Sequence, residues 1–195
     1  MGKIDRKSIK VLWVSLVKFP PLCEHLGETI PAHCGWMYSS AKALLRVMPE
    51  VRLGVMVYSY GRSYERYEID GVTYYLIPTG RIDRTSKKQI ETCRRAIRDF
   101  APDLMHIHGT EHSLAKAACV ANENGTRMVA NIQGLAGPYM RYADGGLSLW
   151  NKWTNITPLD FYRGTFLLNA KRNFKHRAEC ENYVLTYITD IVGRT

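Results

Sequence analysis

The sequence predicts an α/β protein: a mainly parallel, Rossmann-like sheet with helices on both faces. Three observations lead there. Short apolar runs of strand length, at 10–17, 52–58, 103–107 and 127–132, alternate with stretches of helical length, the pattern of strand–helix–strand units. The first run is continuously apolar rather than alternating, as in strands buried on both faces. Two of the strands run out into polar, glycine-opened segments, His106-Ile107-His108-Gly109-Thr110 and Asn131-Ile132-Gln133-Gly134. Polar groups just past the carboxyl ends of strands are where open α/β sheets bind ligands.

The elements follow in order. Residues 10–17 make the first strand. The stretch 18–33 is long and proline-containing and reads as a loop, after which Gly35 opens a helix over 36–48. A strand at 52–58 precedes a hairpin at 67–77. Its turn is Asp70-Gly71, a pair that tolerates the positive φ angles of a two-residue connection. Ser86 is an N-cap for a helix running to Phe100, which stops ahead of Pro102 because proline disfavours helical backbone in the residue before it. After the strand at 103–107, a helix spans 112–124 and ends at Gly125, and the strand 127–132 follows. A long helix covers about 166 to 188, with Lys175 and Glu179 one turn apart. The final stretch, 190–195, has the character of a strand reaching a loop, as if the chain continued.

Length and composition narrow the classes. The chain has 195 residues, enough for one domain with a sizeable core, and at 46% hydrophobic and 23% charged it is globular rather than disordered. No apolar run approaches the ~20 residues of a membrane span. The segment 11–17 is followed by Lys18-Phe19-Pro20-Pro21 instead of a small-residue cleavage site, and Arg6 stands where a myristoylation signal needs Ser or Thr. A cytoplasmic location is the expectation. Five cysteines (Cys23, Cys34, Cys93, Cys119, Cys180) are odd in number and include no Cys-x-x-Cys pair, which fits reduced thiols. Two sets are compatible with zinc by composition: Cys23, His25, His33 and Cys34, and His106, His108 and His112. The first matches no standard ligand spacing.

The net charge is +9, from 27 Lys and Arg against 18 Asp and Glu. Such an excess attracts polyanions: nucleic acid, anionic lipid or phosphorylated substrates. The cations concentrate at Arg81, Arg84, Lys87, Lys88, Arg94, Arg95 and Arg98, and again at Lys171, Arg172, Lys175 and Arg177. Both stretches are helical, so each is read first as a solvated outer face; Lys171, Arg172, Lys175 and Arg177 are read second as a contact for a cytoplasmic, anionic membrane leaflet. No fold signature of a nucleic-acid module is present, and no specific nucleic-acid partner is expected. Residues 134–164 differ in character. Their glycines and the aromatics Tyr139, Tyr142, Trp150, Trp153, Phe161 and Tyr162 read as an irregular excursion that either packs or binds an acceptor.

Four segments together resemble the N-terminal domain of GT-B glycosyltransferases, in the large family 4 (group 1) of retaining enzymes. They are Lys10-Val-Leu-Trp-Val14 with Gly35 and Leu44-Leu45 beyond it; Pro102-Asp103-Leu-Met-His-Ile-His108-Gly109-Thr110-Glu111; Asn131-Ile132-Gln133-Gly134-Leu135; and Val192-Gly193-Arg194-Thr195. The likeness spans nearly the whole chain. It departs from the family at Cys34-Gly35, where a Gly-Gly pair is common, and at Gln133, where His is frequent. The family's second domain, which holds the nucleotide sugar, has no counterpart in the 195 residues.

The resemblance implies a retaining transfer of sugar from a nucleotide-diphosphate donor to a glycan or lipid-linked glycan. This half would hold the acceptor and part of the cleft, inert by itself and completed by the second domain. It implies His108 as the residue touching the donor sugar, in preference to His106, and no cofactor or metal bound by this domain. Gly35, Gly109 and Thr110 are the expected points of approach for the donor and its phosphates, because glycines at helix starts and strand exits let backbone N–H groups come close. Glu111, Gln133, Gly134 and Tyr139 are the expected acceptor or cleft residues. His106 and His108 are two apart and would share a face if the strand continued, so a turn at Gly109 is expected to separate them. Two other classes remain open: a non-catalytic sugar- or nucleotide-binding module, and a basic interaction domain.

Overall fold

The computed structural model describes residues 8–79, 84–132, 135–142, 145–154, 156–163 and 167–193. Among these, one sheet runs β3-β4-β2-β1-β5-β6-β7. The strands are β1 Ile9–Ser15, β2 Val51–Tyr60, β3 Glu65–Ile69, β4 Val72–Thr79, β5 Leu104–His108, β6 Arg127–Ile132 and β7 Asp190–Gly193. Neighbours are parallel except β3 and β4, which form the expected hairpin. Asp70 and Gly71 carry φ of 51° and 74°, the left-handed pair that a tight hairpin turn requires. From β1 the chain builds outward twice, first to β2 and β4, then to β5, β6 and β7. The direction reverses between β1 and β5, and loops leaving the carboxyl ends of these strands diverge there.

The helices are α1 Pro20–Leu26, α2 Gly35–Val47 (entered by a 3-10 turn, Ala32–Cys34), α3 Lys87–Phe100, α4 Ser113–Ala121, α5 Ala136–Tyr142, α6 Leu149–Thr154, α7 Pro158–Arg163 and α8 Leu167–Leu185. They divide the core in two. Leu12, Val14, Met56, Met105, Ile107 and Ala130 pack with Cys93, Ile97, Leu114, Ala118 and Val184 from α3, α4 and α8. On the other face Val11, Trp13, Leu53, Val55 and Tyr74 meet Phe19, Leu22, Met37 and Ala41 around α1 and α2. Burial on both faces explains the continuous apolar run Val11 to Val14 of β1, where no position faces water.

Two expectations need correction. The stretch 18–33, read as loop, contains α1. Pro20 and Pro21 fall in the first helical positions, where a missing N–H costs nothing, and Gly27 leaves the helix with φ 66°. Phe19 and Leu22 are wholly buried, and that burial selects helix over loop. The excursion 134–164 is likewise not irregular in its described parts, which form α5, α6 and α7. Of these, α5 packs on α8, and the buried carboxylate of Glu181 accepts the N–H groups of Ala136 (2.9 Å) and Gly137 (3.1 Å). Elsewhere boundaries shift by a few residues, as with α4, which ends at Ala121 rather than Asn124. Ser86 caps α3 as expected, its hydroxyl accepting from the Gln89 N–H at 3.1 Å.

Part of the first basic cluster is paired on the outer face of α3. Arg94 meets Glu91 and Glu123, Arg98 lies 3.2 Å from Glu123, and Arg95 stacks over the Tyr64 ring at 4.5 Å. Tight packing shows at Gly54 of β2, where an added Cβ would stand 2.9 Å from both Leu12 Cδ1 and Phe100 Cε2. Gly54→Ala is therefore expected to lower the unfolding free energy by about 1–3 kcal/mol, read as a lower urea midpoint at unchanged slope.

Candidate functional site

The crevice at the reversal point is built by three strand exits and one helix start. After β1 the buried Ser15 hydroxyl accepts from the Val17 N–H and donates to the Val17 carbonyl, both at 2.9 Å, turning the chain sharply at Leu16. After β5 the chain turns at Gly109, whose φ of 94° excludes an ordinary side chain, into Thr110 and Glu111. Asn131 and Ile132 close β6, and His33, Trp36 and Met37 enter from the start of α2. Together with His108 these residues line a cavity of about 260 Å³.

The two histidines are not separated. β5 continues through His108, which pairs with Asn131 of β6, and the turn comes one residue later. Both imidazoles therefore leave the same face, with ring centroids 4.0 Å apart. Trp13 flanks them, 5.8 Å from His106 and 4.5 Å from His108, and the Trp36 ring lies 6.2 Å from His108. His108 is the more enclosed of the two, 7% exposed, yet it is the one that lines the cavity.

Burial, helped by the neighbouring His106, holds the His108 imidazole down to about 3, and burial lowers His106 too. Near neutral pH both rings are uncharged. Around them lies an accumulation of buried polar atoms with no partner among the described residues: both ring nitrogens of His108, His106 Nε2, Trp13 Nε1 and Asn131 Oδ1. A buried polar atom left unmet costs about 1–3 kcal/mol, so folded proteins rarely gather several without a use for them.

The other expected residues fall as follows. Gly109, Thr110 and Glu111 line the cavity. Burial alone would raise the Glu111 carboxyl, but the His112 ring bonded to it, with help from Arg177, brings it below the usual carboxylate range. His112 Nε2 lies 3.0 Å from Glu111 and Arg177 of α8 lies 3.9 Å away. Gly35 is the first residue of α2, at φ −57°, with nothing within 4 Å of an added Cβ, so the backbone there does not demand glycine. It does not itself line the cavity, although His33, Trp36 and Met37 around it do. Tyr139 is not in the cavity; it is exposed on α5 with its ring stacked 6.4 Å from Phe174 of α8. Gln133 and Gly134 lie outside the described residues. Among the described residues no group of three or more His, Cys, Asp or Glu is arranged to hold a metal ion, and all five cysteines are buried thiols.

Trp13 and Trp36 were not singled out as site residues from sequence. A buried Trp on β1 gains meaning only from its register opposite His106, a relation between segments 93 residues apart.

A pH prediction follows. His108 binds its proton near 6.5 when unfolded and near 3 when folded, so between these values the unfolded chain carries the extra proton. Stability is expected to fall as pH drops from 6.5 toward 3. Urea titrations at stepped pH should show the decline, and His108→Gln should flatten it.

A mainly parallel, Rossmann-like sheet defines the class, an α/β protein, and its cluster of unmet polar atoms stands at the reversal point, where open α/β sheets bind their ligands. No protein-family model matches the chain, and no curated protein matches its sequence.

Proposed function

We propose that this chain is the acceptor-side domain of a retaining glycosyltransferase of GT-B type. It would take a nucleotide-diphosphate sugar together with a second domain and pass the sugar to a glycan or lipid-linked glycan in the cytoplasm. The observation that carries this reading is the neutral, partnerless His108 in the reversal-point cavity, with Asn131 beside it. A neutral imidazole offers one donor and one acceptor, which suits a sugar hydroxyl; it lacks the positive charge that would suit a phosphate. The start of α2, whose residues Trp36 and Met37 line the same cavity, would face the diphosphate in this reading. In this arrangement the anomeric carbon–oxygen bond to the diphosphate breaks, a bond to the acceptor hydroxyl oxygen forms, and the hydroxyl proton passes to the departing diphosphate oxygen. His108 holds the sugar, and α2 offsets charge gathering on the leaving group. Glu111, fixed by His112, stands at the rim for acceptor hydroxyls.

The test is transfer of labelled sugar from a panel of nucleotide-diphosphate donors by the protein carrying its second domain. Residues 1–195 alone are expected to fold and not to turn over. Turnover by the single domain would overturn the two-domain assignment. Donor binding without transfer by the longer protein would favour a non-catalytic binding module.

A further inference from the structure

A second cavity, of about 410 Å³, lies where the start of α3, α4 and α8 meet, and it shares no lining residue with the reversal-point cavity. Three separate stretches of chain make its walls. Lys116 and Val120 stand one turn apart on α4, and His176, Glu179 and Cys180 share one face of α8. Arg84, Thr85 and Ile90 belong to the entry and first turn of α3. The Thr85 hydroxyl donates to the Ser113 carbonyl at 3.3 Å, which ties the backbone beside Arg84 to the start of α4. Ile90, Val120 and the buried Cys180 give the cavity an apolar side.

The charges on these walls are unbalanced. Arg94 and Arg98, further along α3, are taken up by Glu91 and Glu123, whereas Arg84 and Lys116 meet no carboxylate among the described residues. The Lys116 ammonium sits 4.7 Å from the centre of the Tyr183 ring, which steadies it without cancelling its charge. Glu179 is the one carboxylate on the described lining, and His176 Nδ1 engages it at 3.3 Å. Two cations from different elements on one cavity suit an anion of more than one charge. The guanidinium fork of Arg matches phosphate oxygens, and Lys adds a point charge to the same group. The volume is that of sites for small organic ligands, roughly 300–1,000 Å³, and Ile90 and Val120 offer a carbon body a surface to lie on.

We propose that this cavity is a second binding site, for a small organic phosphate: its phosphoryl group between Arg84 and Lys116, its apolar body against Ile90 and Val120. The proposal goes beyond the transferase reading and does not rest on it, since no sugar transfer is measured. The probe is phenyl phosphate, titrated into the 195-residue chain at constant ionic strength and followed by amide NMR shifts. Saturable shifts are expected at 84–90, 116–120 and 176–180. Phenyl phosphate should bind at least about threefold tighter than inorganic phosphate, which lacks the ring, and about tenfold tighter than benzoate, which carries a single charge. The double variant Arg84→Gln, Lys116→Gln should keep the wild-type circular dichroism and weaken phenyl phosphate by about tenfold or more. No saturable shift by about 10 mM probe, equal affinity for either control, or a double variant that binds like the wild type each overturns the proposal. So do shifts confined to 108–111 and 131–132, which would put the phosphate in the reversal-point cavity instead. Should the double variant not fold, Arg84→Gln alone decides, since Arg84 is exposed and precedes α3.

Discussion

Replacing His108 by Ala is expected to lower kcat/KM for sugar transfer by about 100-fold or more in the two-domain protein, the usual size of a lost polar contact to a reacting sugar. The side chain closes a strand at the mouth of a cavity, and its ring nitrogens support no other described residue, so the fold should survive. His108→Gln retains one donor and one acceptor and should recover part of the loss. The comparison with His106 is less clean than sequence suggests. Because the rings stack at 4.0 Å, His106→Ala leaves a gap beside His108. It should cost stability first and lower the rate only about tenfold through misplacement of its neighbour. Initial-rate kinetics with urea unfolding on the same samples separate the two effects. Near-wild-type rates for both alanine variants would remove His108 from the proposed chemistry.

The second large effect falls on Glu181. This buried carboxylate, 2% exposed, is the acceptor for two backbone N–H groups that open α5. Glu181→Ala strands both donors and is expected to cost about 2–4 kcal/mol, since bonds to a charged acceptor are the strong ones. Glu181→Gln keeps one acceptor oxygen and should cost clearly less. Chemical unfolding measures the difference, and limited proteolysis should show earlier cleavage within 135–142 in the alanine variant. Unchanged stability in Glu181→Ala would mean that packing on α8, rather than this cap, holds α5.

By itself the sequence determined the local order. Strand–helix alternation, the Asp70-Gly71 turn and the Ser86 cap were legible because each depends on neighbours within a few residues, through turn angles, capping hydroxyls and apolar period. The same is true of the polar exits at His108-Gly109-Thr110 and Asn131. Missed elements were those whose local signal was weak and whose burial was decisive: α1, selected by the burial of Phe19 and Leu22, and α5, pinned by Glu181 from 45 residues away. Only the tertiary structure brought Trp13 beside His106, kept the two imidazoles in contact and emptied their charge by burial. Strand order and register are set by which faces bury together, a global sum over both cores, and no local pattern in the chain encodes it.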